Sequence, residues 1–183
     1  MDKDVVCDGM GVYGDIVDEI LSGKIFVYPT DTIYGLGCNA LNGCSVNKIK
    51  DMKRRDRDKP ISVIAPSFEW IKDNCVVGNI DLEKYLPGPY TLILKKRDID
   101  FLNECSNGGN IGVRMPNHEF FRVIEKAGVP FVTTSVNLSG ESPISNVCEI
   151  SDDILEGVDI VIDVGEVKGK PSILVIDGKE MVR

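Results

Sequence analysis

Histidine is nearly missing from this 183-residue chain, with His118 its only copy. The six cysteines (Cys7, Cys38, Cys44, Cys75, Cys105 and Cys148) are scattered and form no C-x-x-C pair. Together these shortages leave no metal constellation of ordinary spacing and no nucleophile-with-histidine couple. The cysteines read as small thiols, buried or half-buried, in a reducing compartment. His118 follows Pro116 and Asn117 at a helix start and reads as a capping or surface residue. Also lacking are a G-x-x-x-x-G-K-[ST] loop and a G-x-G-x-x-G fingerprint, so a nucleotide would not be held in either common way. No apolar run is long enough for a bilayer, and Met1-Asp2-Lys3-Asp4 is no signal peptide, so a cytoplasmic protein without a membrane partner is expected. Internal repeats, coiled-coil heptads and low-complexity tracts are absent too.

What is present suits one globular domain over residues 1–183, long enough for a substantial core. Hydrophobic residues at 43% and charged residues at 27% are ordinary for that class. The formal net charge of −8 opposes nonspecific binding to a polyanion. Yet Lys48, Lys50, Lys53, Arg54, Arg55, Arg57 and Lys59 crowd one stretch, broken only by Asp51, Asp56 and Asp58. A local cationic patch on an acidic protein suggests a small anionic ligand more than a nucleic-acid track. Part of the cluster also suits the C-terminal end of a helix dipole.

Apolar spacing predicts helices over 14–22, 44–53, a short segment after Ser67, 82–86, the stretch from Phe120 to a stop at Gly128, and 152–155. Strands are expected at 25–28, 61–65, 91–94, 111–113, 131–134, 160–164 and 173–176, with a polar loop over 103–110. Alternating strands and helices, some joined too briefly for a crossover helix, predict an α/β domain around a twisted mixed sheet flanked by helices.

Residues 25–40 organise the chain. An apolar strand stops at Pro29 and spills into Thr30, Asp31 and Thr32, with Gly35 and Gly37 beyond. Hydroxyls and free amides at a strand end suit a small polar or anionic ligand, and glycine allows close backbone approach; an ordinary turn with locally satisfied groups would look the same. Two later strands end the same way, one in Arg114 and one in Ser135 with Asn137. In an α/β sheet, ligands collect beyond strand ends, so these loops converge on one crevice.

Taken together, these segments resemble the YrdC-like family, whose members make threonylcarbamoyl-adenylate. Residues 28–40 resemble its P-T-[DE]-T-x-Y-G-L-G signature. Lys53-Arg54-Arg55 with Lys59-Pro60 is similar to its K-x-R segment. Leu86-Pro87-Gly88-Pro89-Tyr90-Thr91-Leu92 resembles W-P-G-P-x-T-L with Leu86 replacing tryptophan. Residues 111–116 and 134–140 look like V-R-x-P and P-S-x-N-x-S-G, with Thr134 replacing proline. Many relatives carry histidine at the position of Ile64, and the stretch Gly140-Glu141-Ser142-Pro143 is one residue shorter than the commonest family loop. Longer relatives append a second domain; this chain, ending at Arg183, is expected to be the catalytic domain alone.

The resemblance implies a nucleotidyltransferase that joins L-threonine, bicarbonate and ATP, with Mg²⁺ accompanying ATP and no metal held by the protein itself. It implies Lys53 and Arg55 as catalytic residues that neutralise the triphosphate. Thr32 and Arg114 would bind threonine, and Lys59, Asn110, Thr133, Ser135, Asn137, Ser142 and Arg183 would join Lys53 and Arg55 around ATP. Its product would pass to a tRNA threonylcarbamoyl transferase complex, with at most a weak contact to tRNA. Such chemistry needs positioning and charge neutralisation more than a nucleophilic side chain. Two other readings are an RNA-binding module of the same fold without catalysis, which net charge opposes, and carbamoyl-phosphate chemistry as in hydrogenase maturation proteins, whose zinc-ligand spacing is missing here.

Overall fold

The computed structural model describes residues 4–7 and 13–182. Its elements in chain order are strand β1 (Asp4–Cys7), helix α1 (Tyr13–Leu21), strands β2 (Phe26–Tyr28) and β3 (Gly35–Gly37), helix α2 (Gly43–Met52), strand β4 (Ser62–Ile64) and helix α3 (Phe68–Asn74). Strands β5 (Cys75–Val76), β6 (Tyr90–Lys96) and β7 (Asn110–Arg114) follow, then helix α4 (Phe121–Ala127), strand β8 (Phe131–Ser135), helix α5 (Asp152–Leu155) and strands β9 (Ile160–Asp163), β10 (Ile173–Ile176) and β11 (Lys179–Met181). The strands join in a mixed sheet ordered β1-β9-β2-β3-β8-β4-β7-β6-β10-β11, with β5 paired to β6 off that path. The expected mixed α/β sheet is what the chain forms. None of the described helices is long and apolar enough to cross a membrane.

Local chemistry sets the boundaries. Gly23 sits just past α1 at φ 87°, a left-handed conformation glycine adopts without strain. Ser67 caps α3 by accepting from the Trp70 amide, and Asn42 caps α2 by accepting from Ser45. Asp177 and Gly178, both at positive φ, make the tight turn between β10 and β11. His118 Nδ1 accepts from the Phe120 amide at 3.2 Å, in keeping with a capping role before α4.

Successive strand residues face opposite ways, and the two faces are packed differently. Val27, Leu36, Val63, Leu92, Val113, Val132 and Val161 point to one face, where they bury against α2, α3 and α5. Phe26, Tyr28, Ile64, Phe131, Ile160 and Ile162 point to the other, where α1 and α4 cover them. Tyr28 stacks on Phe120 at 4.7 Å, and Phe131 meets both rings edge-on. Past these rings the same face changes chemistry within single strands. Phe131 gives way to Thr133 and Ser135 along β8, and Ile64 to Ser62 along β4. That uncovered part of the sheet is where a ligand can sit.

Gly35 and Gly37 stand opposite Tyr28 and Phe26 in the β2–β3 pair. A Cβ on Gly35 would fall 2.6 Å from the Tyr28 ring, and one on Gly37 would fall 2.0 Å from the Val132 carbonyl oxygen. Both glycines therefore give room to the core's rings and backbone, in addition to any ligand. Gly37→Ala should cost roughly 3 kcal/mol, the upper range for overpacking against backbone, whereas Gly108→Ala, with nothing within 4 Å, should leave stability nearly unchanged. Urea denaturation of both variants checks this.

Candidate functional site

A cavity of about 330 Å³ lies over the uncovered face. Its wall brings together Thr32, Arg55, Arg114, Thr133, Ser135 and Asn137, drawn from the loop after β2, the end of α2, β7, β8 and the loop that follows. These are the strand-end loops the sequence pointed to, and they do converge.

The Thr30–Thr32 turn is a directed hydrogen-bond chain. Thr30 Oγ1 donates to the Ile33 carbonyl at 2.7 Å, which commits its only proton. Its 2.9 Å contact with Thr32 Oγ1 therefore has Thr32 donating. The Thr32 oxygen is left to accept from Arg114, whose Nη1 and Nη2 each lie 3.3 Å away. Arg114 Nη2 also donates to Asp31 Oδ1 at 2.7 Å, and Asp31 Oδ2 accepts from the Asn117 amide at 3.0 Å. Only 5% of Arg114 is exposed. Burial pulls its guanidinium below the ordinary arginine value, and the Asp31 carboxylate beside it opposes that shift.

The cationic stretch, by contrast, is no patch. Lys50 turns inward and donates to the Arg57 carbonyl. Arg54 pairs with Asp153 and Arg57 with Asp51, both on the exposed surface. Lys48 and Lys59 are exposed. Arg55 alone of the seven reaches the cavity wall, with Nη2 on the Pro60 carbonyl at 2.6 Å. Lys53 is 2% exposed and not on the wall; its ammonium donates to the carbonyls of Ser135 and Asn137 at 2.5 and 2.6 Å. It ties the end of α2 to the loop after β8, because an amine on a four-carbon stem reaches those carbonyls from below. Burial, then the nearby Arg55, push the Lys53 ammonium down to about 8.

A few enclosed polar atoms have no protein partner. Among the described residues there are four: Arg55 Nε, Arg114 Nε, Asn137 Oδ1 and Ser151 Oγ. The first three belong to the cavity wall. Asn137 spends its amide hydrogens on the carbonyls of Leu138 and Glu141, at 2.7 and 2.9 Å, so its orientation is fixed and only an acceptor remains. Two guanidinium groups and the hydroxyls of Thr32, Thr133 and Ser135 on one wall suit a ligand with anionic groups.

Other predicted positions lie away from this wall. Asn110 begins β7 opposite Lys95, roughly 13 Å along the strand from Arg114, and lines a different depression. Ser142 is exposed between two wall residues, Glu141 and Pro143. Lys59 is exposed just before the wall residue Pro60. Arg183 lies outside the described residues. Ile64, where relatives carry histidine, is fully buried among Tyr28, Phe120 and Phe131 and is not on the wall. Sequence reasoning missed Tyr34, Ser62, Thr91 and Ser172 as wall residues. Thr91 and Ser172 share a buried 2.8 Å hydrogen bond across β6 and the residue preceding β10. The Tyr34 hydroxyl donates to the Gly165 carbonyl and accepts from the Val164 amide, which fastens the connection from β9 to β10 over the site. That connection passes so close that a Cβ on Gly169 would overlap the Thr32 carbonyl. The signal available was position: Thr91 sits inside the P-G-P-Y-T-L block, on the strand face shared with Arg114.

The profile of the Sua5/YciO/YrdC family, described as telomere recombination, matches residues 18–182. A Methanocaldococcus jannaschii protein named "putative threonylcarbamoyl-AMP synthase" is 39% identical over 161 residues, covering 86% of this chain and 76% of its own. Threonylcarbamoyl-AMP synthase from Pyrococcus abyssi is 32% identical over 165 residues, covering 86% of this chain; the match spans 48% of that longer protein. The crystal structure of Pyrococcus abyssi Sua5 complexed with L-threonine superposes with a TM-score of 0.83 at 26% identity, over 98% of this chain and 55% of that one. The chain belongs to the Sua5/YciO/YrdC family.

The depressed Lys53 ammonium has a consequence for stability. Its proton is held less tightly in the folded chain than in the unfolded one, so between about pH 8 and its ordinary value the unfolded state binds more protons. Stability contributed by this site therefore rises with pH across that window. The difference in urea midpoint between the native chain and Lys53→Met should shift in favour of the native chain from pH 8 to pH 10, and a constant difference would refute it.

Proposed function

We propose that this chain is a threonylcarbamoyl-AMP synthase: it forms threonylcarbamoyl-adenylate and pyrophosphate from L-threonine, bicarbonate and ATP. The observation that carries the reading is the cavity's polarity. A buried arginine, Arg114, sits beside Thr32 at one part of the wall, and a second guanidinium, Arg55, lies at another. Relatives bearing that enzyme name, and a homologous structure holding L-threonine, support it.

The threonine amine adds to bicarbonate with loss of water to give a carbamate. A carbamate oxygen then attacks the α-phosphorus of ATP, and pyrophosphate leaves. Arg114 and Thr32 hold the threonine carboxylate, a role suited to a planar guanidinium. Arg55 neutralises the polyphosphate. Ser135 and Thr133 offer hydroxyls to ATP. Asn137 has both amide hydrogens on backbone carbonyls, so it cannot donate to phosphate and acts by shaping the loop beside ATP. Lys53 acts on ATP through the loop it holds. Magnesium suits this site as a passenger on the phosphates, where it shields their charge. Among the described residues Glu141 is the only acidic one on the wall, and they contain no cluster of three or more metal-binding side chains. Transfer of the product to tRNA would fall to a separate threonylcarbamoyl transferase complex in the cytoplasm. An RNA track is not favoured, since the cationic stretch is spent on inward ties and surface ion pairs.

The test is mass spectrometry for threonylcarbamoyl-adenylate, with pyrophosphate release as the companion assay. Release should require both threonine and bicarbonate; equal turnover with water alone would mean a plain ATPase. Arg55→Ala should weaken ATP binding by roughly 1.5–3 kcal/mol, as for a charge-assisted hydrogen bond, and Arg54→Ala should not. Equal losses measured by calorimetry would make the cationic stretch a diffuse field instead.

A further inference from the structure

Asp31 stands beside Arg114 but is not on the cavity wall. Its side chain is 12% exposed and that of Arg114 7%, so the pair is nearly withdrawn from water. Each carboxylate oxygen is committed to one donor. Oδ1 accepts from Arg114 Nη2, and Oδ2 accepts from the Asn117 backbone amide. The amide is fixed by the chain three residues past Arg114, so Asp31 is itself held. With Nη2 pulled to Asp31 and both terminal nitrogens near Thr32 Oγ1, the guanidinium plane has one orientation, and the second Nη1 hydrogen and Nε are the donors left over.

We propose that Asp31 is the positioning residue that aims Arg114, fixing the fork so that it discriminates for an amino acid bearing a free α-carboxylate. This rests on the threonine site proposed above. Asp31 would not touch substrate; it acts by holding the guanidinium in plane. A buried charge left without its partner is costly and relaxes toward water, so losing Asp31 would free Arg114 to turn out of the site. Asparagine is the sharp substitution. It has one acceptor and one donor at its tip, so it cannot accept from both Arg114 and the Asn117 amide.

The experiment compares L-threonine with L-threoninol, which has an alcohol in place of the carboxylate. Binding of each is measured by calorimetry with ATP present, alongside the threonine dependence of pyrophosphate release. Asp31→Asn should raise the threonine KM by about tenfold, the loss of one charge-assisted bond, with kcat and ATP affinity nearly unchanged. Threoninol affinity should hardly move, so the preference for threonine collapses. Asp31→Glu keeps the charge and displaces it by one methylene; it should act in the same direction more weakly, and it supplies the test if the asparagine variant does not fold. Equal losses for threonine and threoninol in either folded variant, or no change in either, overturn the proposal. Failure of the native chain to use threonine would instead overturn the proposed function and leave Asp31 without this role.

Discussion

The stack of Tyr28, Phe120 and Phe131 seals part of one face of the sheet, and Arg114 stands at the line where that seal stops. On one side of the line a side chain is enclosed by rings and two helices. On the other it meets a cavity. Arg114 pairs in register with Ile64, a member of the aromatic cluster, yet aims its guanidinium at Thr32 and Asp31. A charge held 5% exposed at such a border needs a built partner, and the Thr30–Thr32 turn supplies one. The turn's hydroxyl order, Thr32 to Thr30 to the Ile33 carbonyl, follows from that arrangement.

Charge in this protein is placed by reach. Lys50 and Lys53 use long stems to bring ammonium groups to backbone carbonyls that no strand or helix satisfies. Arginines on the same stretch go outward to aspartates or, for Arg55 alone, to the cavity. A row of cations that looks uniform in one dimension is thus divided among anchoring, surface pairing and lining the cavity. The lysine anchoring the loop that carries Ser135 and Asn137 makes the shape of the cavity wall depend on a residue outside it.

Much of the fold was legible because apolar spacing carries it. The elements at 26–28, 152–155 and 173–176 matched closely, since short β-branched runs and helical spacing are strong local signals. Strand β3 was not legible: Gly-Leu-Gly has the poorest strand chemistry, and it pairs because Tyr28 and Phe131 need the absent side chains. Strand β11 is exposed along its length and carries two charges, although the Asp177-Gly178 turn before it was a usable hairpin signal. At the site, strand-end hydroxyls and Arg114 could be found locally. Ser172 could not, because it enters through the β9–β10 connection, whose course over Thr32 is a tertiary fact; Tyr34 follows the Thr30–Thr32 turn, but the bonds of its hydroxyl to Val164 and Gly165 are equally tertiary. Lys53 illustrates the remaining difficulty: its residue type fits a phosphate ligand, and only burial distinguishes that from a backbone anchor.

The place of β9 between β1 and β2 has a consequence for how the chain is made. The Ile25 amide donates to Asp159, 134 residues away, and β2 has no neighbour on that side until β9 arrives. During synthesis, then, the strand feeding the Thr30–Thr32 turn leaves the ribosome with one edge bare, and it stays so until the segment 134 residues further on has emerged. Long-range parallel pairing of this kind closes slowly and leaves a sticky edge in the interim. The cavity is finished later still, when Ser172 reaches Thr91. A nascent chain that could already bury its aromatic rings would have no complete ligand wall, so activity arrives only with the last strands.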